Sequence, residues 1–147
     1  MIDTSHIGAL ISRHTAEVEA GSLRFFAKTT GQTDARYIDP RAAAAAGFPA
    51  LPVPPTFLFC LAMDVPNPRA AYELLGIDIG KVLHGEQQFH YHRMAFAGER
   101  LTFETRIGDI YTKKGGALEF VVRDTVVTGA GGEVVADLRS VIVVRNS

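Results

Sequence analysis

Thr56-Phe57-Leu58-Phe59-Cys60-Leu61-Ala62-Met63 is the stretch that decides the fold, because it carries no charge on any face. A helix apolar all round is a buried helix. Pro49, Pro52, Pro54 and Pro55 precede it, each fixing φ and disfavouring helix in the residue before it, and Pro66-Asn67-Pro68 ends it. The segment therefore predicts one central helix enclosed by the rest of the chain, with Cys60 as a small core residue.

Downstream the period changes to two. Phe89 and Tyr91 alternate with Glu86, Gln88, His90 and His92. Leu101, Phe103, Thr105 and Ile107 alternate with Thr102, Glu104 and Arg106. Leu118, Phe120 and Val122 repeat the pattern, as do Val134, Ala136, Leu138, Ser140, Ile142 and Val144. Lys114-Gly115-Gly116 and Gly129-Ala130-Gly131-Gly132 fall between these runs as hairpin turns. Upstream, Arg13 to Val18 reads as a first strand and Glu19 to Thr30 as an amphipathic helix with Leu23, Phe26 and Ala27 inward. Asp39-Pro40 opens a second helix through Ala42 to Ala46, and Ala70 to Leu75 forms a short one before Gly76. The result is an α+β fold, a long antiparallel sheet of about five strands wrapped around the central helix.

Composition sets the outer limits. A chain of 147 residues with 47% apolar and 21% charged residues fits a single globular domain over residues 1–147. A net charge of -1 supplies no basic field for phosphate backbones, so no nucleic-acid partner is expected. The longest apolar run is far short of the roughly 20 residues that span a bilayer, so no membrane partner is expected either. The first residues lack the basic and apolar regions of a secretory signal and Cys60 is the lone cysteine, which together predict a reducing cytoplasm.

Three separated stretches carry a resemblance. Phe26 to Asp39 has the layout of the active-site segment of MaoC-like hydratases and dehydratases, in which a Gly-Asp-x-Asn-Pro-x-His-x-Asp run carries a catalytic Asp and His. Pro54-Pro55-Thr56-Phe57 resembles the start of that family's central helix, and Leu83-His84-Gly85-Glu86-Gln87 through Phe89, Tyr91, His92 and Arg93 resembles the strand that follows. With Ala97-Gly98-Glu99-Arg100-Leu101 the likeness runs over nearly the whole chain. It is strongest to the N-terminal, FAS1-like half of MaoC dehydratases. The resemblance implies a hot dog fold, paired with a second hot dog unit that commonly carries the Asp and His, while the first shapes the pocket for the acyl chain and its carrier.

At the two catalytic positions this chain has Gln32 and Tyr37. Hydrating an enoyl thioester needs a base for water and an acid for the α-carbon. Gln32 does not titrate, and a tyrosine with its usual pKa of about 10 donates a hydrogen bond near neutrality but is a poor base. The family's dyad is therefore expected from a partner subunit. His84, partnered by Glu86 or by Asp34 across a dimer, is the remaining acid/base candidate, with Tyr37 and Asp34 as possible companions; fixing the strand by a backbone hydrogen bond is its plainer role.

His84, His90 and His92 share one face of a regular strand. At about 3.3 Å per residue His84 lies roughly 20 Å from His90, so no common metal site is expected. Phe48, Pro55, Thr56, Phe57 and Gly85 are candidates for the acyl pocket, beside Leu51 and Phe59. Arg93 and Lys113-Lys114 are candidates for coenzyme A phosphates, against ordinary core and surface roles. No separate cofactor is expected, since coenzyme A or acyl carrier protein arrives as part of the thioester. The expected partners are that acyl-CoA or acyl carrier substrate and a second subunit, in a homodimer or in a heterodimer with a catalytic MaoC-like chain. A homodimeric hydratase rearranged around His84 and a non-catalytic acyl-CoA binding module are the alternatives.

Overall fold

The computed structural model describes residues 1–146. Strands β1 (Leu10–Glu17), β2 (Val82–Tyr91), β3 (Arg100–Lys113), β4 (Leu118–Thr128) and β5 (Val134–Arg145) form one antiparallel sheet in the order β1-β3-β4-β5-β2. Helices α1 (Ala20–Thr29), α2 (Pro40–Ala45), α3 (Phe57–Met63) and α4 (Ala70–Leu75) all lie in the chain between β1 and β2, the two sheet edges. This is the α+β architecture the sequence predicts. Among the described residues no helix is long and apolar enough to cross a membrane.

Local chemistry sets the boundaries. The Asp39 carboxylate accepts the Arg41 amide at 2.8 Å, and Pro40 opens α2 where its missing N–H costs nothing. Gly76 closes α4 at φ 63°, in the left-handed region where a Cβ would be strained.

The sheet's helix-facing side follows from cross-strand register. Ala136, Leu138, Ser140, Ile142 and Val144 of β5 stand opposite Tyr91, Phe89, Gln87, His84 and Val82 of β2. On the other side of β5 the same residues oppose Val127, Thr125, Arg123, Val121 and Glu119 of β4, apart from an irregularity beyond Val127. Val121 rather than Val122 therefore faces the helices. The expected inward set of Leu118, Phe120 and Val122 is off by one, because the helix-facing residues at the start of β4 include the charged Glu119 and Arg123 while the outer face carries the three apolar side chains, so the alternation points to the wrong side. Phe120 stacks instead on Tyr111 across the outer face, centroids 4.8 Å apart.

The histidines also separate. The β2–β5 register slips between His84 and Glu86, with Gly85 as the additional residue. A bulge reverses side-chain parity, so His84 joins Gln87, Phe89 and Tyr91 on the helix side while His90 opposes Asp137 on the outer face. His92 pairs with the same Asp137 at 2.6 Å. The shared face expected for all three histidines does not exist.

Helix α3 is buried on one side only. Leu58 is 0% exposed, and Phe57 and Leu61 are buried with it in the main core beside Leu23, Phe103 and Val127. Fully burying such side chains stabilises by about 1.5–3 kcal/mol each. The opposite side is open: Cys60 is exposed and Met63 is 48% exposed, contrary to the expectation of a helix and a cysteine enclosed all round. The sheet covers one face of α3, and its other apolar face lies uncovered in the single chain.

Candidate functional site

The loop after α1 is built by short side-chain to backbone bonds. Gly31 takes φ 71°, and the Gln32 side-chain oxygen then accepts the Asp34 amide at 3.0 Å. Asp34 in turn accepts the Arg36 amide at 3.0 Å and two guanidinium N–H groups of Arg36, Nε and Nη2, starting a single 3-10 turn that ends at Tyr37. Those hydrogen bonds hold the Asp34 carboxyl at about 2, well below the usual carboxylate range. Gln32 and Asp34 thus order the loop. Tyr37 is half-buried beside them.

His84 sits on exposed β2. Its Nε2 lies 3.2 Å from the Glu86 carbonyl, and its ring lies 5.6 Å from that of Phe59 on α3. The partner from Glu86 is thus backbone, and no hydrogen bond among the described residues joins His84 to Asp34 or Tyr37 within one chain. Gly85 is hemmed in: a Cβ there would meet Val143 Cγ2 at 2.9 Å and the Val141 carbonyl oxygen at 3.1 Å.

The other candidates fall in several places. Phe57 is core, edge-on to Phe26 at 5.2 Å. Phe48 is half-buried against Phe96 at 5.8 Å. Thr56 is exposed at the start of α3, and the Pro55 carbonyl accepts the Tyr91 hydroxyl, which ties the end of β2 to the proline segment. Arg93 is held by Glu99 at 2.8 Å and Glu133 at 2.7 Å, bridging the loop after β2 to the β4–β5 turn. That double pairing gives Arg93 a structural role and competes with the phosphate expected for it. Lys113 lies over the Tyr111 and Phe120 rings, 5.5 and 5.0 Å from their centroids. Among the described residues no cluster of three or more His, Cys, Asp or Glu is arranged to hold a metal ion.

Sequence reasoning missed a cavity of about 60 Å³ between the sheet and α3–α4, room for several waters or a thin chain. Its sheet wall is a row of polar side chains. Thr105 lies between Phe103 and Ile107 on β3, Thr125 and Arg123 between Val127 and Val121 on β4, and Ser140 between Leu138 and Ile142 on β5. Ser12 of β1 stands opposite Thr105, and Gln87 of β2 opposite Ser140. The row divides the core into its two apolar clusters. Phe59 and Met63 of α3 close the cavity from the helix side, whereas Gln32, Asp34, Tyr37 and His84 are not among its walls. Strand parity was the available signal, since Thr105 and Ser140 already fell at inward positions.

Comparison with known proteins gives this geometry a context. The family model described as "FAS1-like, dehydratase domain region" matches residues 5–138. A UPF0336 protein of Saccharopolyspora erythraea is 33% identical over 147 residues, 99% of this chain and 93% of that protein. Among solved structures, the C-terminally truncated HadBC (3R-hydroxyacyl-ACP dehydratase) complex of Mycobacterium tuberculosis superposes with a TM-score of 0.80 at 24% identity, covering 94% of this chain and 96% of that one. A MaoC-like dehydratase superposes with a TM-score of 0.86 at 22% identity, over 97% of this chain and 43% of a much longer one. At such identities the superpositions show a shared fold, the hot dog fold.

Proposed function

Since the chain belongs to the FAS1-like dehydratase domain family, we propose that it is the substrate-holding subunit of an enoyl-thioester hydratase or 3-hydroxyacyl-thioester dehydratase, with the acid/base pair supplied by a partner subunit. The observation that carries this is the state of the loop after α1: Gln32 is engaged with the Asp34 amide and Asp34 with Arg36, so neither is free to take a proton. A carboxyl at about 2 is ionised throughout the neutral range and is a weak base. Hydration places water's oxygen on the β-carbon and a proton on the α-carbon. In this division of labour the partner's Asp and His move those protons, and this chain orients the acyl group.

Two uncovered features favour pairing. Strand β2 is a sheet edge with free backbone hydrogen-bonding groups, and α3 presents Cys60 and Met63 outward. The HadBC complex is an assembly of more than one chain by its name, and the MaoC-like dehydratase is a chain more than twice the length matched here. Coenzyme A or an acyl carrier protein enters with the substrate, no further cofactor is required, and the cytoplasm is the compartment where such thioesters meet this protein.

Co-expression with a MaoC-like chain that retains the Asp and His, taken from the neighbouring reading frame, tests the proposal. The pair is expected to co-purify and hydrate crotonyl-CoA while this chain alone does not. Failure of the pair to associate or turn over overturns it. The exposed His84 beside Phe59 favours a second reading, a homodimeric hydratase using His84 with Tyr37 or Asp34 of the other subunit, which requires turnover by the purified chain alone. Stabilisation by acyl-CoA without turnover in any assembly would identify a binding module.

A further inference from the structure

We propose that the cavity between the sheet and α3–α4 binds an oxygen-bearing group on the acyl chain, a carboxylate or hydroxyl several carbons from the thioester, with Arg123 as the residue that selects it. This rests on the acyl-thioester reading and narrows it to a substrate class.

Arg123 faces the helices from the middle of the sheet and is half-buried. Its guanidinium donates from Nε to Ser140 Oγ at 3.1 Å, a single neutral partner for a group with five donors. No ion pair among the described residues includes it. The carboxylates nearby in sequence are committed elsewhere: Asp124 turns to the outer face and binds Arg139 at 2.7 Å, and Glu119 accepts the Ile2 amide and the Asn146 side chain. A guanidinium half-withdrawn from water with one neutral acceptor leaves its other N–H groups to solvent or a ligand, and an anionic or hydroxyl oxygen can take them.

The rest of the wall points to the same chemistry. Gln87 Oε1 is buried with no hydrogen-bond partner, so it calls for a donor within reach. Thr105 and Thr125 satisfy each other at 2.7 Å and leave the Arg123–Ser140–Gln87 end of the row to a ligand. A hydroxyl can accept from Arg123 and donate to Gln87; a carboxylate can take two guanidinium N–H groups but, when ionised, has no hydrogen for Gln87. A wholly apolar chain leaves both unmet. The apolar walls, Phe59, Met63 and Leu138, suit the methylenes on either side.

The test is binding of hexanoyl-CoA, 6-hydroxyhexanoyl-CoA and adipoyl-CoA to the wild-type chain, alone and with its partner, and to Arg123→Met and Arg123→Lys, with free adipate as a thioester-independent probe. At least tenfold tighter binding of one oxygen-bearing thioester than of hexanoyl-CoA is expected, and which one it is separates hydroxyl from carboxylate. Arg123→Met is expected to erase that preference, with hexanoyl-CoA bound at least as tightly as by the wild type, and Arg123→Lys to retain part of it. Equal binding of all three by the wild type, or an unchanged preference in Arg123→Met, overturns the proposal. If no thioester binds but adipate stabilises the wild type and not Arg123→Met, the oxygen site stands and the thioester reading fails. If adipate fails as well, both fall.

Discussion

Phe59 and His84 meet ring to ring across the gap between α3 and β2, centroids 5.6 Å apart and planes 32° from parallel. The contact exists because the register slip at Gly85 turns His84 toward the helices. A regular strand would keep His84 on the face of His90 and His92, away from α3. The Gly85 backbone thus positions the imidazole.

Gly85→Ala is accordingly expected to destabilise the fold by about 1–3 kcal/mol, the usual cost of overpacking. The added methyl meets Val143 Cγ2 at 2.9 Å and, less yieldingly, the Val141 carbonyl oxygen at 3.1 Å. Denaturant unfolding measures the change. A loss below about 0.5 kcal/mol, the range of an ordinary surface substitution, would mean that the bulge relaxes freely.

Much of this was legible in the chain. Asp39-Pro40, the apolar Phe57 to Met63 run and the parity of Leu138, Ser140 and Ile142 each lead to the observed element, because capping, charge-free helix and period-two strand are local signals. The bulge at Gly85 was hidden, since only Val82, Leu83 and His84 of the strand precede it, too short a run for the change of parity to show. So was the Arg123 row: an arginine among Val121, Val122, Val126 and Val127 reads as an outward charge until cross-strand register fixes its side. Cys60 failed for another reason, because an uncovered apolar face has the composition of one facing a core.

His84→Ala separates the two catalytic readings. If the partner supplies the dyad, the paired complex should keep its kcat/KM within about threefold, as for a residue that makes no transition-state contact. A homodimer relying on His84 should lose about 100-fold or more, the least expected for a general acid/base. Unchanged circular dichroism and unfolding midpoint are expected in both cases, because the imidazole is exposed and its hydrogen bond is to the backbone next to it.

Asp34 should titrate well below the usual carboxylate range. Hydrogen bonds from the Arg36 side chain and amide bring its carboxyl from 3.8 to about 2, so the loop contribution is present above the unfolded value and fades as pH falls toward about 2. Carbon-detected NMR of the side-chain carboxyl should give a midpoint near 2 in the wild type and a return toward the ordinary value in Arg36→Gln. An Asp34 midpoint near 4 in the wild type would show that the pair does not hold in solution.

Arg93→Met should act on stability before it acts on binding. It leaves Glu99 and Glu133 without their shared cation, and Glu99 also accepts the Phe96 amide, so the loop after β2 loses its anchor to the β4–β5 turn. A loss of about 1.5–3 kcal/mol is expected, the usual value of charge-assisted hydrogen bonds, partly recovered in Arg93→Lys. A variant of unchanged stability with weakened acyl-CoA affinity would return Arg93 to phosphate recognition.

Tyr91 offers a test at alkaline pH. Burial pushes its hydroxyl up to about 12, and that hydroxyl donates to the Pro55 carbonyl, joining β2 to the segment that leads into α3. A raised pKa means the protonated phenol is the form the fold prefers. Stability from this group is therefore complete below the unfolded value of about 10 and is lost as pH climbs toward about 12, because the unfolded chain ionises first. Tyr91→Phe removes both effects: it should cost about 0.5–1.5 kcal/mol at neutral pH through the lost hydrogen bond, and its stability should fall less steeply than the wild type's between pH 10 and 12. Parallel alkaline limbs for the two proteins would show that Tyr91 ionises as freely in the fold as outside it.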